Sequence, residues 1–178
     1  MAKGLYKVQK QITKKRGKLE ALHENSRDSQ RLRRAGARED RLARAAAVTS
    51  RTRQSYVDRV AFFQECLKDA SGALSDNEMA ELVQKFIDRA APEIEELRQE
   101  RRKGRPPSKR EDALVQRAQV EGKEFTTGFW MPDFTLEEVV LRLKVWNGEW
   151  ANMSTMKFIR LLRDGTKQAS SFPPKGLS

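Results

Sequence analysis

The chain has 178 residues, and its 36 Lys and Arg against 25 Asp and Glu leave a formal charge of +11. Apolar residues make up 38% and charged residues 34%, against roughly 45–50% and about 25% in an ordinary globular domain, so part of the chain belongs in water or on a polyanion. A single cysteine, Cys66, and a single histidine, His23, exclude an internal disulfide and the usual zinc sites, and no apolar run approaches the roughly 20 residues of a membrane span.

The charge is confined to one region. Residues 1–56 hold 16 basic and 5 acidic side chains, residues 57–178 hold 20 of each, and all eight Phe and all three Trp lie beyond residue 56. The expected organisation is a basic arm at 1–56, a helical body at 57–165 and a disordered tail at 166–178. The first residues have no apolar signal-peptide core, so a reducing cytosolic or nuclear compartment is expected.

The opening stretch sets Lys7, Lys10, Lys14, Lys15, Arg16 and Lys18 among Gly, Gln and Thr. Its few apolar residues point to an extended segment that contacts a polyanion. From Asn25 or Ser26, which are good helix caps, a helix is predicted through Ala47. Arg27, Arg31, Arg34, Arg38 and Arg41 recur on it at spacings of three or four and so form one stripe, with Arg33 beside it. The planar guanidinium pairs two phosphate oxygens at once, so these arginines are the candidate RNA-binding residues together with the lysines before them.

In the body, Tyr56, Val60, Phe63 and Leu67 predict an amphipathic helix over 53–69, with Cys66 as an inert core thiol. Ser75 and Glu78 form a capping box for a helix bearing Met79, Leu82, Val83, Phe86 and Ile87. Pro92 opens the next helix and Gly104 with Pro106 and Pro107 ends it. Arg101, Arg102 and Lys103, in the one strongly basic stretch outside the arm, are a second candidate phosphate contact. Ser108 with Glu111 and Thr135 with Glu138 read as further capping boxes, the first for a helix ending near Gly122.

Phe125–Phe134 is aromatic, holds Gly128 and Pro132, and has no helical period. It reads as an apolar loop that packs across helices as part of the core; the rival reading is a docking surface, with Phe129 and Trp130, and Trp150 beyond it, as candidate protein-docking anchors. The stretch 150–163 is too short to assign to helix or strand. The fold expected is all-α: a basic extended N-terminal arm with a helix, then a small irregular helical domain with an aromatic loop.

Several of these segments, in this order, resemble the translation machinery-associated protein 16 family. They are Leu22-His23-Glu24-Asn25-Ser26-Arg27-Asp28 leading into the basic helix, Leu82–Arg89, Ser108–Ala113, Gly128–Asp133, Leu143–Trp146 and Met153–Leu161. Glu24 stands where the family commonly has proline. The resemblance implies a non-enzymatic ribosome biogenesis factor, nuclear or nucleolar, that joins precursors of the large (60S) ribosomal subunit. It would contact ribosomal RNA, ribosomal proteins and other assembly factors, with no cofactor, membrane or small-molecule substrate, and be monomeric outside the particle.

Two rivals follow from the residues alone. A basic helix also suits DNA or chromatin, although the chain has no dimerising heptad, zinc module or recognisable helix-turn-helix. An enzyme would need convergent carboxylates or histidines, whereas His23 stands alone and the acids fall at helix starts and in ion-pair spacings.

Overall fold

A computed structural model describes residues 4–17, 19, 22–70 and 72–174; Lys18 lies outside the described residues, as does the end of the expected tail, 175–178. The chain divides into two units, Met1–Thr52 and Arg53–Ser178.

The first unit begins with helix α1 (Leu5–Arg16), where an extended segment was expected. The reason is that Val8 and Ile12, one helical turn apart, find cover: they are 3% and 2% exposed. Helix α2 (Arg27–Cys66) starts at Ser26, whose Oγ accepts the Ser29 N–H at 3.1 Å. Three contacts fix how the helices pair: Arg16 Nε donates to Asp28 at 2.6 Å, Arg31 to Gln11 at 3.0 Å, and the Leu5 N–H to Glu39 at 3.2 Å. Their growing sequence separation means that α1 runs back along α2, an antiparallel helical hairpin.

α2 is 40 residues long and includes the unit boundary between Thr52 and Arg53. It was expected as two helices. Ala43–Val48 is rich in strong helix formers and Val48–Arg53 holds no Gly or Pro, so nothing in the backbone interrupts it.

The second unit continues with α3 (Asp76–Asp88), α4 (Ala91–Glu100), α5 (Lys109–Thr127), β1 (Phe129–Pro132), α6 (Glu137–Val145), a 3-10 turn (Ala151–Thr155), β2 (Phe158–Leu161) and β3 (Lys167–Ser170). The Ser75–Glu78 capping box is present in full, and Met79, Leu82, Val83, Phe86 and Ile87 all face the core. Ser108 Oγ caps α5 through the Glu111 N–H, but the Glu111 carboxylate turns to Arg101 and Arg98 instead of closing the box. Thr135 does not cap α6: its hydroxyl donates to Asp133, and Glu138 pairs with Lys157 at 2.9 Å, which holds the Glu138 carboxyl below its ordinary pKa. α5 runs past Gly122 because Phe125, beyond it, is buried together with Glu121 on the turn before.

The fold is mostly helical but not all-α. β1, β2 and β3 form an antiparallel sheet in that order, with Phe129 opposite Leu161 and Trp130 opposite Arg160, and then Arg160 opposite Gln168. The expected aromatic loop is therefore strand β1, and the unassigned stretch 150–163 is a 3-10 turn followed by β2. Of the expected disordered tail, Lys167–Ser170 is strand β3.

β1 is buried on both faces, which is why no alternation marks it in the sequence. On one face Phe129 meets Phe63, Phe86 and Phe125 edge-on. On the other, Trp130 stacks on Phe158 with centroids 4.2 Å apart and takes the Tyr56 ring edge-on at 5.1 Å. Gly128, at φ 122°, lets β1 start beside the Arg160 side chain, whose Cβ would lie 3.2 Å from a Cβ at that position.

A buried ion pair closes the outer edge of β1. Arg59 from α2 donates to both carboxylate oxygens of Glu124 at 2.8 and 2.7 Å and to the Trp130 carbonyl at 3.0 Å, with its guanidinium 4.0 Å from the Phe129 ring centre. The Trp130 N–H in turn donates to Glu124 at 3.3 Å. Both outward-facing backbone groups of Trp130 are thus satisfied, and Pro132 has no N–H to satisfy.

Candidate nucleic-acid interface

The basic side chains of the first unit fall into two sets. Those at the helix pairing have internal partners: Arg16 and Lys15 meet Asp28, Arg31 meets Gln11, and Arg33 donates to the Glu24 carbonyl at 2.6 Å. Asp28 is buried, so its charge requires this pairing, and Arg16 is committed to the fold before it is offered to a ligand.

The second set faces solvent. On α1, Lys7, Lys10 and Lys14 recur at steps of three and four, so they share the face opposite Val8 and Ile12. On α2, Arg27, Arg34, Arg38 and Arg41 are exposed along one stripe; at about 1.5 Å rise per residue it extends about 21 Å. Arg41 bonds only the carbonyl of Ala37 in its own helix, at 3.3 Å. Among the described residues, Lys7, Lys10, Lys14, Arg27, Arg34 and Arg38 have no hydrogen-bond or ion-pair partner. From Ala37 to Val48 every residue is exposed, including Leu42 and Val48 at 60% and 63%. A helix face lined with exposed arginine that has no ion-pair partner is suited to neutralising a row of phosphates.

His23 Nδ1 accepts the Asn25 N–H at 3.3 Å, a local turn contact just before α2. Among the described residues there is no group of three or more His, Cys, Asp or Glu placed to hold a metal ion, and no helix is long and apolar enough to cross a membrane.

In the second unit, the basic loop between α4 and α5 divides in the same way. Arg101 pairs with buried Glu111 at 3.4 Å, whereas Arg102, Lys103 and Arg105 are exposed, Arg102 and Arg105 lining a groove of about 470 Å³ that includes Pro106, Pro107 and Ser108. The aromatic residues expected to dock a protein are mostly spent on the core. Phe129 and Trp130 are 0% and 1% exposed and cannot be surface anchors. Trp150 is half-buried, between the Phe172 ring at 4.8 Å and the Arg53 guanidinium at 5.6 Å.

Sequence reasoning missed Arg59, Arg89, Glu121 and Glu124. Arg89 pairs with both carboxylate oxygens of Glu121, at 2.6 and 2.7 Å, and Arg117 adds a third contact at 3.1 Å. Partners 32 and 65 positions apart leave no periodic trace. The one available signal was Arg59 inside the apolar stripe of Tyr56, Val60 and Phe63.

Residues 18–163 match the family described as translation machinery-associated protein 16. The chain is also 34% identical over 165 residues to the Saccharomyces cerevisiae protein of that name, covering 90% of this chain and 92% of the relative. A match over most of both lengths, spanning the basic helix, the capped α3 and the aromatic β1, places the chain in the translation machinery-associated protein 16 family.

Proposed function

We propose that this protein is a non-enzymatic assembly factor that binds precursors of the large ribosomal subunit, in the nucleus and nucleolus. The helical hairpin of the first unit holds ribosomal RNA by its phosphates, and the second unit docks on ribosomal proteins or other assembly factors nearby. The observation that carries this reading is the exposed stripe of Arg27, Arg34, Arg38 and Arg41 on α2, which runs into a stretch, Ala37–Val48, exposed at every position. The name of the yeast relative, an association with the translation machinery, agrees with an RNA-rich partner. Few exposed aromatic rings accompany the stripe, so the contact is to backbone phosphate and carries little sequence preference. Lys7, Lys10 and Lys14 extend it along α1. Arg102 and Lys103 supply a second, smaller contact on the other unit.

Replacing Arg27, Arg34, Arg38 and Arg41 together by glutamine tests this, because glutamine keeps the helix and removes the charge. Each lost phosphate contact lowers the slope of log K against log salt by about 0.7–0.9, so the quadruple variant loses about three units of slope on structured ribosomal RNA. An unchanged slope refutes the reading, and preferential retention on duplex DNA at equal salt would move it to chromatin.

A further inference from the structure

The two edges of the sheet are treated differently. At β1 the outward N–H and C=O of Trp130 are taken by Glu124 and Arg59, and Pro132 offers no donor. At β3 the pattern of pairing decides which groups point outward. The Leu162 N–H donates to the Thr166 carbonyl at 2.9 Å, and the Gly165 N–H closes the turn onto Leu162 at 3.0 Å. Antiparallel pairs alternate between bonded and non-bonded. With Leu162 and Thr166 bonded, Arg160 with Gln168 and Phe158 with Ser170 are bonded too, while Leu161 with Lys167 and Ile159 with Ala169 are not.

The N–H and C=O of Lys167 and Ala169 therefore face away from β2. Among the described residues nothing bonds them, and Lys167, Gln168 and Ala169 are all exposed. The edge carries neither proline nor bulge within Lys167–Ser170, and its one charged side chain, Lys167, is turned aside to Asp76 at 2.6 Å. An edge of this kind is a template for another strand.

Beside it lies a groove of about 470 Å³ lined by Arg160, Gln168, Ala169, Ser170 and Ser171. Arg160 is the only charged residue among these, is half-buried, and has no ion-pair partner among the described residues. It stands on the same face as Gln168, its cross-strand neighbour, so a residue seated opposite Gln168 on an added strand projects from that face too, two strands from Arg160.

We propose that the open edge of β3 accepts an extended acidic segment of a partner protein as a fourth strand, its backbone bonding Lys167 and Ala169 and a carboxylate meeting Arg160. This rests on the reading that the second unit docks a protein, and it is independent of RNA binding by the first.

The test uses the full chain and a fluorescent eight-residue peptide alternating valine with glutamate, its counterpart with lysine for glutamate, and a version N-methylated at alternate residues. Ala169→Pro removes an outward donor and leaves every bond to β2 in place, so it is expected to weaken the acidic peptide at least tenfold with unchanged near-ultraviolet circular dichroism. Arg160→Gln is expected to lose severalfold and to flatten the salt dependence. The N-methylated and lysine peptides are expected not to bind. The N-methylated peptide decides the matter on the unaltered protein even if Ala169→Pro fails to fold. No binding of the acidic peptide at 1 mM, equal binding of the N-methylated or lysine peptide, or equal binding by folded Ala169→Pro would overturn the proposal. So would a concentration-dependent dimer abolished by Ala169→Pro, which would make a second copy the occupant. RNA affinity of the first unit is expected to be the same in all variants, so failure here leaves the phosphate-binding reading to its own salt titration.

Discussion

The two units solve opposite problems with the same side chain. In the first, among the described residues, Arg27, Arg34 and Arg38 are left unpaired on the surface, and only Val8 and Ile12 are deeply buried apolar residues. In the second, twenty-two such residues form one core, and Arg59 is drawn into it to hold Glu124 and the edge of β1. An unpaired arginine costs little in water and attracts a polyanion; a buried one needs its charge paired, as both terminal nitrogens of Arg59 are by Glu124, or it destabilises the fold. Location, not residue type, decides whether an arginine is a ligand contact or a structural brace. The same contrast recurs within one loop, where Arg101 braces Glu111 and Arg102 faces solvent.

Removing the brace should have the largest effect. Arg59→Ala strands Glu124 and the Trp130 carbonyl together and is expected to cost about 3 kcal/mol in denaturant unfolding, with the salt slope for RNA unchanged. A variant of full stability would erase the distinction between the units. Ile12→Ala comes next: about 2 kcal/mol is lost from the hairpin, read as faster proteolysis within residues 5–16 while the thermal midpoint of the second unit stays fixed. A shift of that midpoint would show the two units to be energetically coupled. The smallest effect lies at the α3 cap. Hydrogen bonds from the Ser75 backbone and hydroxyl hold the Glu78 carboxyl below its ordinary pKa of 4.5. Its stabilising contribution is therefore complete above that value and is lost as pH falls through the lowered one. Glu78→Gln should flatten this part of the acid-unfolding curve, and an unchanged curve would assign the acid sensitivity elsewhere.

What was legible in the sequence follows from how each element is stabilised. α3 could be read in full because its cap and its apolar stripe are both local, within thirteen residues. The exposed arginine stripe was legible for the same reason. α1 was missed because only Val8 and Ile12 mark it, too little for a helix until α2 covers them. β1 and β2 are four residues each and apolar on nearly every position, so neither alternation nor length separates them from a loop. β3 has no apolar residue larger than Ala169 and owes its strand form to β2 alone. The candidate docking anchors failed through the same ambiguity, since Phe129 and Trp130 carry the composition of an interface while filling a core. The Arg59–Glu124 brace depends on chain segments 65 residues apart, which no local pattern reports.

The continuous helix α2 also has a consequence for exchange with solvent. Around Val60 and Phe63, both 0% exposed, its amides are shielded by the core and are released only when the whole unit opens. From Ala37 to Val48 nothing covers the backbone bonds, and they open one turn at a time. Deuterium should therefore enter the same helix at two very different rates. A polyanion laid along the arginine stripe would slow the faster one, reporting its own footprint amide by amide.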